Sequence, residues 1–218
     1  MQPIRYCVIF FTALLCSSPN WAAQSSRQVV LQTNLGNIVI ELFPREAPIT
    51  VKNFLEYIDS GFYDGTIFHR VAPGFIIQGG GFDASFTSKK TRAPIKSESY
   101  NGLSNNTYMV SMAHLPNSDL ASSQFFINLQ SNTALNSNSK SLGYTVFGKV
   151  IEGMDVAEKI SLEPRGMYET LPEAPNTSVE ILKATRVEVK RGEKTDNDTP
   201  LELNDQKSIK EKSVSTPE

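Results

Sequence analysis

FHRVAPGFIIQGGGF, residues 68–82, sets one arginine among aromatics, a glutamine and three glycines, with no acidic side chain inside the run to pair with it. A guanidinium taken out of water beside apolar groups is costly unless it finds a partner. Arg70 is therefore expected either to be exposed or to meet its partner in a bound ligand. TIFHRV and GFIIQG, which overlap this stretch, are two of several short β-rich runs, and TYMVSMA, QFFINL and YTVFGKV are others.

Upstream, QVVLQTNLGNIVIELF (28–43) shows two β-rich runs around an Asn34-Leu35-Gly36 turn, with Ile38, Ile40 and Leu42 alternating against Asn37, Val39 and Glu41. That pattern predicts a hairpin. Val51, Phe54, Leu55 and Ile58 then fall at helical spacing between Pro48 and Thr50 as start signals and Gly61 as a stop. A second helical pattern lies around Met154 to Ile160, and SVEILKATRVEVK (178–190) reads as a closing strand with a bulge. Short strands and two helices in one domain predict a mainly β fold, a closed and mostly antiparallel barrel whose closure removes sheet edges.

The ends read differently. Residues 1–23 place Arg5, an apolar run from Tyr6 to Cys16 and then small residues in the order of a secretory signal peptide, too short to anchor as a spanning helix. The bulky Leu15 before Cys16 argues against lipidation. Both cysteines, Cys7 and Cys16, lie in this leader, so residues 24–190 are expected to fold without a disulfide, on a core large enough to suffice. Residues 191–218 are polar and charged, too poor in apolar surface to offset ordering entropy, and read as a disordered tail. The net charge of −2 and the lack of a basic block make nucleic acid and anionic membrane poor partners.

The chemistry is bounded by what the text lacks. His69 and His114 are the only histidines, which excludes the usual structural zinc spacings, and neither a phosphate-binding glycine motif nor a GxSxG elbow occurs. His69, alternating with Phe68 and Arg70 in a presumed strand, reads as a satisfied packing histidine. In QFFINL, a period of two puts Phe125, Ile127 and Leu129 on one face and Gln124, Phe126 and Asn128 on the other. Phe126 then either packs beneath a loop or floors a pocket flanked by amides.

FHRVAPGFIIQGGGF, MVSMA, SSQFFINL and YTVFGKVIEGMDV, in that order, resemble the cyclophilin-type peptidyl-prolyl isomerases across nearly all of residues 28–189, the exported bacterial members most closely. The resemblance implies an eight-stranded antiparallel barrel capped by two α-helices, with an active groove on its outer face. It places the catalytic arginine on Arg70 and the other catalytic positions on Phe75, Gln78 and Phe126. Substrate-binding positions fall on Ile76, Ala113, His114, Gln124, Leu135 and Tyr144, with the main chain at Ala113 and His114 holding the flanking peptide. Arg70 is expected to stay wet at rest and to meet its acceptor when substrate binds, with room left for a more distant carboxylate, on which the sequence is silent, to orient it.

No cofactor and no metal are implied, and the expected partners are proline-containing polypeptides met by a monomeric, exported protein, periplasmic or secreted. Three positions depart from better-known eukaryotic members: Ala134 replaces a tryptophan, His114 an asparagine and Tyr144 a histidine. The missing indole leaves less apolar wall, which predicts weak cyclosporin sensitivity. A rival reading, a module that holds proline-containing segments without turnover, would use the same groove.

Overall fold

Antiparallel strands β1 (Gln28–Thr33) and β2 (Gly36–Leu42) form the expected hairpin, paired from Gln28↔Glu41 to Thr33↔Gly36. Val29 and Leu31 of the first strand and Ile38, Ile40 and Leu42 of the second are all buried, as the period-two pattern requires. This is a computed structural model, and it describes residues 27–115 and 118–187. The signal peptide expected over 1–23 and the tail expected over 191–218 lie outside the described residues.

The remaining strands are β3 (Thr66–Ala72), β4 (Ile76–Asp83), β5 (Ile95–Lys96), β6 (Met109–His114), β7 (Leu120–Asn128), β8 (Thr145–Glu152), β9 (Arg165–Tyr168), β10 (Leu171–Pro175) and β11 (Glu180–Arg186). Hydrogen-bonded neighbours run β4-β3-β11-β1-β2-β8-β6-β7, and β7 pairs back onto β4 through Ile77↔Ile127 and its neighbours. Eight strands thus close into a barrel with no open edge. The two-residue β5 lies alongside β7, and β9 and β10 form a separate hairpin that the sequence pattern did not suggest.

Helix α1 (Pro48–Asp59) buries Val51, Phe54, Leu55 and Ile58, the four residues whose spacing predicted it, and Tyr57 besides. Its start uses Pro48 as expected, but its orphan amides are met from far away. Ile49 N and Thr50 N donate to the Glu98 carboxylate at 3.1 and 2.8 Å, placing a negative charge at the helix N-terminus. Helix α2 (Met154–Ser161) buries Ala157 and Ile160.

Inside the barrel the aromatic rings converge. Phe125 lies edge-on to Phe54, Tyr63 and Phe68, with centroids 5.5, 5.6 and 6.1 Å away. Gly80 of QGGG sits at φ +80°, and a Cβ there would come within 2.9 Å of the Phe125 ring. That glycine lets β4 press against the core aromatics.

Two bulges matter. On β11, Thr33 pairs with Ile181 while Gln32 pairs with Lys183, so Leu182 is the extra residue and faces solvent. The bulge expected in the closing strand is therefore at Leu182. On β3, Phe68 pairs with Gly79 and Arg70 with Gln78, which leaves His69 unmatched. The strict alternation expected around His69 is broken there, and a one-residue slip moves following side chains to the opposite face. Phe68 and Val71 consequently both enter the core, while Arg70 turns outward.

His69 is buried, 4% exposed, against Phe82, but its Nδ1 has no hydrogen-bond partner, so it is only partly satisfied. Burial, helped by the adjacent Arg70 charge, lowers its pKa from 6.5 to about 4. The unfolded chain protonates this ring below its ordinary pKa and the folded chain does not until the lower value. The contribution of His69 to stability should therefore fall as pH drops from about 6.5 to about 4, by roughly 3 kcal/mol, and change no further below. His69→Phe is expected to flatten much of that slope in urea titrations across this range; identical slopes in parent and variant would refute the assignment.

Candidate active site

One row of paired residues crosses four strands. Arg70 pairs with Gln78, Gln78 with Phe126, and Phe126 with Ser111, linking β3, β4, β7 and β6. Directly paired residues share a face of the sheet, so their side chains emerge together on the outside of the barrel. A second row, Ala72, Ile76 and Asn128, runs beside it.

The turn that joins β3 to β4 is Ala72-Pro73-Gly74-Phe75, with Gly74 at φ +66° and Phe75 N donating to Ala72 O at 3.0 Å. Proline followed by a left-handed glycine suits a type II turn. Phe75 is thereby placed at the rim of the groove, 5.9 Å from the Arg70 guanidinium carbon.

Phe126, with Ala72 and Ile76, forms a small apolar cluster outside the main core, and Phe75, Ala113, Leu135 and Tyr144 pack around it. Tyr144 meets the Phe126 ring edge-on at 5.3 Å. Of the two readings left open for Phe126, the pocket floor is the one the structure adopts. A notch of about 80 Å³ opens over it, lined by Arg70, Ile76, Gln78, Ala113, His114, Phe126, Leu135 and Tyr144.

A wider cavity of about 430 Å³ continues past Gln78, Ala113, His114 and Gln124 to Thr91, Leu115, Ser118 and Leu120. Gln78 Nε2 donates to Gln124 Oε1 at 2.9 Å, an amide pair that divides notch from cavity. Gln124 can lie there because residue 81 is glycine: a Cβ would stand 2.5 Å from Gln124 Cγ.

Of the ten residues named from the resemblance, nine line the notch or the cavity, and Phe75 packs against the notch cluster. His114 stacks on Tyr144 at 4.4 Å, and its ring nitrogens lie 2.8 Å from Gly143 O and 2.9 Å from Leu115 O. Its ring is committed to holding the rim, while the β6–β7 ladder is interrupted at Ala113, between Met112 and His114. The ring being engaged, main chain is what this segment leaves exposed to the groove, in keeping with the expectation for Ala113 and His114.

Arg70 is where the structure adds something. Its side chain is 33% exposed, and its Nε donates to Glu173 Oε2 at 2.8 Å. The charge is half-buried and paired at rest, so it is less wet than expected, and the more distant carboxylate for which the sequence left room is Glu173. The partner is 103 positions away along the chain, on the β9–β10 hairpin.

Sequence reasoning also missed a lattice of amides beneath the notch. Ser111 Oγ donates to Asn105 Oδ1 at 2.7 Å, Asn105 Nδ2 to Leu135 O at 3.0 Å, and Asn132 Nδ2 to Asn128 Oδ1 at 2.9 Å and to Phe75 O at 3.0 Å. Leu135, which lines the notch, and Phe75, at its rim, are both hung on it. Asn128, assigned to the face of Phe126, was the one visible signal.

Fold and site together define a class: a closed β-barrel that carries, on its outside, a cleft for an extended peptide, with a cationic donor beside an apolar notch. Comparison with known proteins narrows the class. Residues 28–186 match the family model described as cyclophilin type peptidyl-prolyl cis-trans isomerase/CLD. The chain is 47% identical over 171 residues to peptidyl-prolyl cis-trans isomerase A of Dickeya dadantii (strain 3937), covering 77% of this chain and 90% of that relative. It is 51% identical over 156 residues to a peptidyl-prolyl cis-trans isomerase of Acinetobacter baylyi, with 70% and 83% covered.

Among solved structures, a cyclophilin type isomerase from Cryptosporidium parvum, crystallised in the presence of dipeptide Ala-Pro, matches with TM-score 0.62 at 29% identity, covering 74% of this chain and 99% of that one. The chain belongs to the cyclophilin-type peptidyl-prolyl cis-trans isomerases, and the reaction it catalyses is rotation about the X-Pro peptide bond.

Proposed function

We propose that this isomerase acts on exported proteins, in the periplasm or outside the cell, where it assists folding as a monomer, and that Arg70 is the group that lowers the rotation barrier. The observation that carries the second statement is the position of the guanidinium, on the lip of the same notch that Phe126 floors.

Twisting a peptide bond through the state in which resonance is lost costs about 18–20 kcal/mol. In that state the prolyl nitrogen turns pyramidal and gains a basic lone pair, which neither planar isomer has. A donor aimed at it binds the twisted state more tightly than either ground state, and only such differential binding speeds the step. Phe75, Ile76, Phe126, Leu135 and Tyr144 hold the proline ring, while Gln78, Gln124 and the main chain at Ala113 and His114 hold the flanking peptide and the preceding carbonyl turns.

Uncatalysed exchange takes tens to hundreds of seconds. A turnover near a millisecond needs about 5–7 kcal/mol off the barrier, which a few directed hydrogen bonds can supply. The reaction as derived calls on no cofactor, metal or nucleic acid.

Export is supported by the leader over residues 1–23. A fusion of these residues to alkaline phosphatase is expected to be cleaved and active outside the cytoplasm; an uncleaved, inactive fusion would overturn the localisation. The mature chain is expected to accelerate cis–trans exchange of a prolyl tetrapeptide in a protease-coupled assay. Tight peptide binding without acceleration would instead establish the rival holding module.

A further inference from the structure

Glu173 occupies a backbone conformation that glutamate normally avoids, φ +60°. On β10, Pro172 and Glu173 together oppose the single residue Met167 of β9, because Leu171 pairs with Tyr168 but Ala174 with Gly166. This is a β-bulge, a device that re-aims side chains. Left-handed non-glycine residues persist only where their surroundings hold them, and they concentrate at working sites. The re-aimed carboxylate lands on Arg70 Nε.

We infer that Glu173 is the positioning residue of Arg70, and that the bulged β9–β10 hairpin serves to present it. This rests on the assignment of Arg70 as the donor to the prolyl nitrogen. A guanidinium has five N–H groups, and the carboxylate takes the one on Nε. The four on the two Nη atoms have no protein acceptor among the described residues, and Arg70 lines the notch.

An arginine held at Nε has its last torsions set before substrate arrives, so less ordering is needed when the twisted state forms. The carboxylate also offsets part of the cation's charge, which weakens its pull on the twisted state, so the gain from fixed orientation must outweigh that loss. The other ion pairs among the described residues, Arg92–Glu56, Lys183–Asp64 and Arg186–Asp59, involve no residue that lines the groove.

The test is NMR exchange on the mature chain with a prolyl tetrapeptide, which reads the on-enzyme rotation rate and the peptide affinity separately. Glu173→Ala is expected to slow rotation about three- to fivefold with affinity nearly unchanged, the size expected of a partly exposed ion pair. Glu173→Gln keeps an acceptor and should fall between parent and alanine variant.

Glu173→Gly removes the carboxylate and relieves the left-handed strain together, so it should raise the melting temperature while slowing rotation as much as alanine does. The Arg70 Nε–H resonance should lose its protection from water exchange in both the alanine and glycine variants. In an Arg70→Ala background, Glu173→Ala should add no further loss.

A Glu173→Ala or Glu173→Gly enzyme with the parent's rotation rate, or a faster one, overturns the inference, as does a loss that adds fully to that of Arg70→Ala. Either result leaves the role of Arg70 standing. Arg70→Ala rotating at the parent's rate would instead remove the assignment of Arg70, and the inference with it.

Discussion

Replacing Arg70 with alanine is expected to lower kcat/KM for a prolyl tetrapeptide at least about 100-fold, the usual cost of deleting one preorganised donor to a developing charge. The fold should survive. Arg70 stands on the outer face of the barrel, its side chain is 33% exposed, and no core ring touches it. Melting temperature is expected to stay within a few degrees of the parent. Arg70→Lys keeps the charge but loses the planar fork, and the Nε contact to Glu173 with it, so it should recover only part of the rate. A protease-coupled assay decides the matter: an alanine variant as fast as the parent would end the proposal that this guanidinium assists rotation.

The second large effect concerns stability. Phe125→Ala is expected to cost about 3–5 kcal/mol, since Phe125 is fully buried and three other rings lean on its edge. For a domain of this size that is on the order of 10 °C in melting temperature. Phe126→Ala, one residue along, should reverse the balance. Its ring belongs to the small outer cluster, so its removal should damage rotation far more than folding. Urea titration and the peptide assay, run on both variants, test the pair. If Phe125→Ala unfolds no more easily than Phe126→Ala, the division of the strand into a core face and a groove face is wrong.

That division was legible without coordinates because a strand alternates with a period of two wherever no bulge interrupts it, and none falls within Phe125 to Asn128. The same local rule supported the β1–β2 hairpin, the buried face of α1 and the bulge of β11, which the text of residues 178–190 announced by breaking its own alternation. The β9–β10 hairpin was not legible. RGMY and LPEAP show no alternation, and most of their residues face solvent, so burial left no imprint on them.

Composition and periodicity, both properties of neighbouring residues, were enough to predict a β-rich barrel and its main strands, while the residues of its groove came from motifs that resemble the cyclophilin-type family. What tertiary structure alone decided was the setting of the arginine. The unmatched His69 turns Arg70 to the outside, and a carboxylate from a remote hairpin reaches it there. Both depend on register between strands and on contact between residues far apart in the chain. Closure of the barrel sets such registers, and no local pattern encodes them.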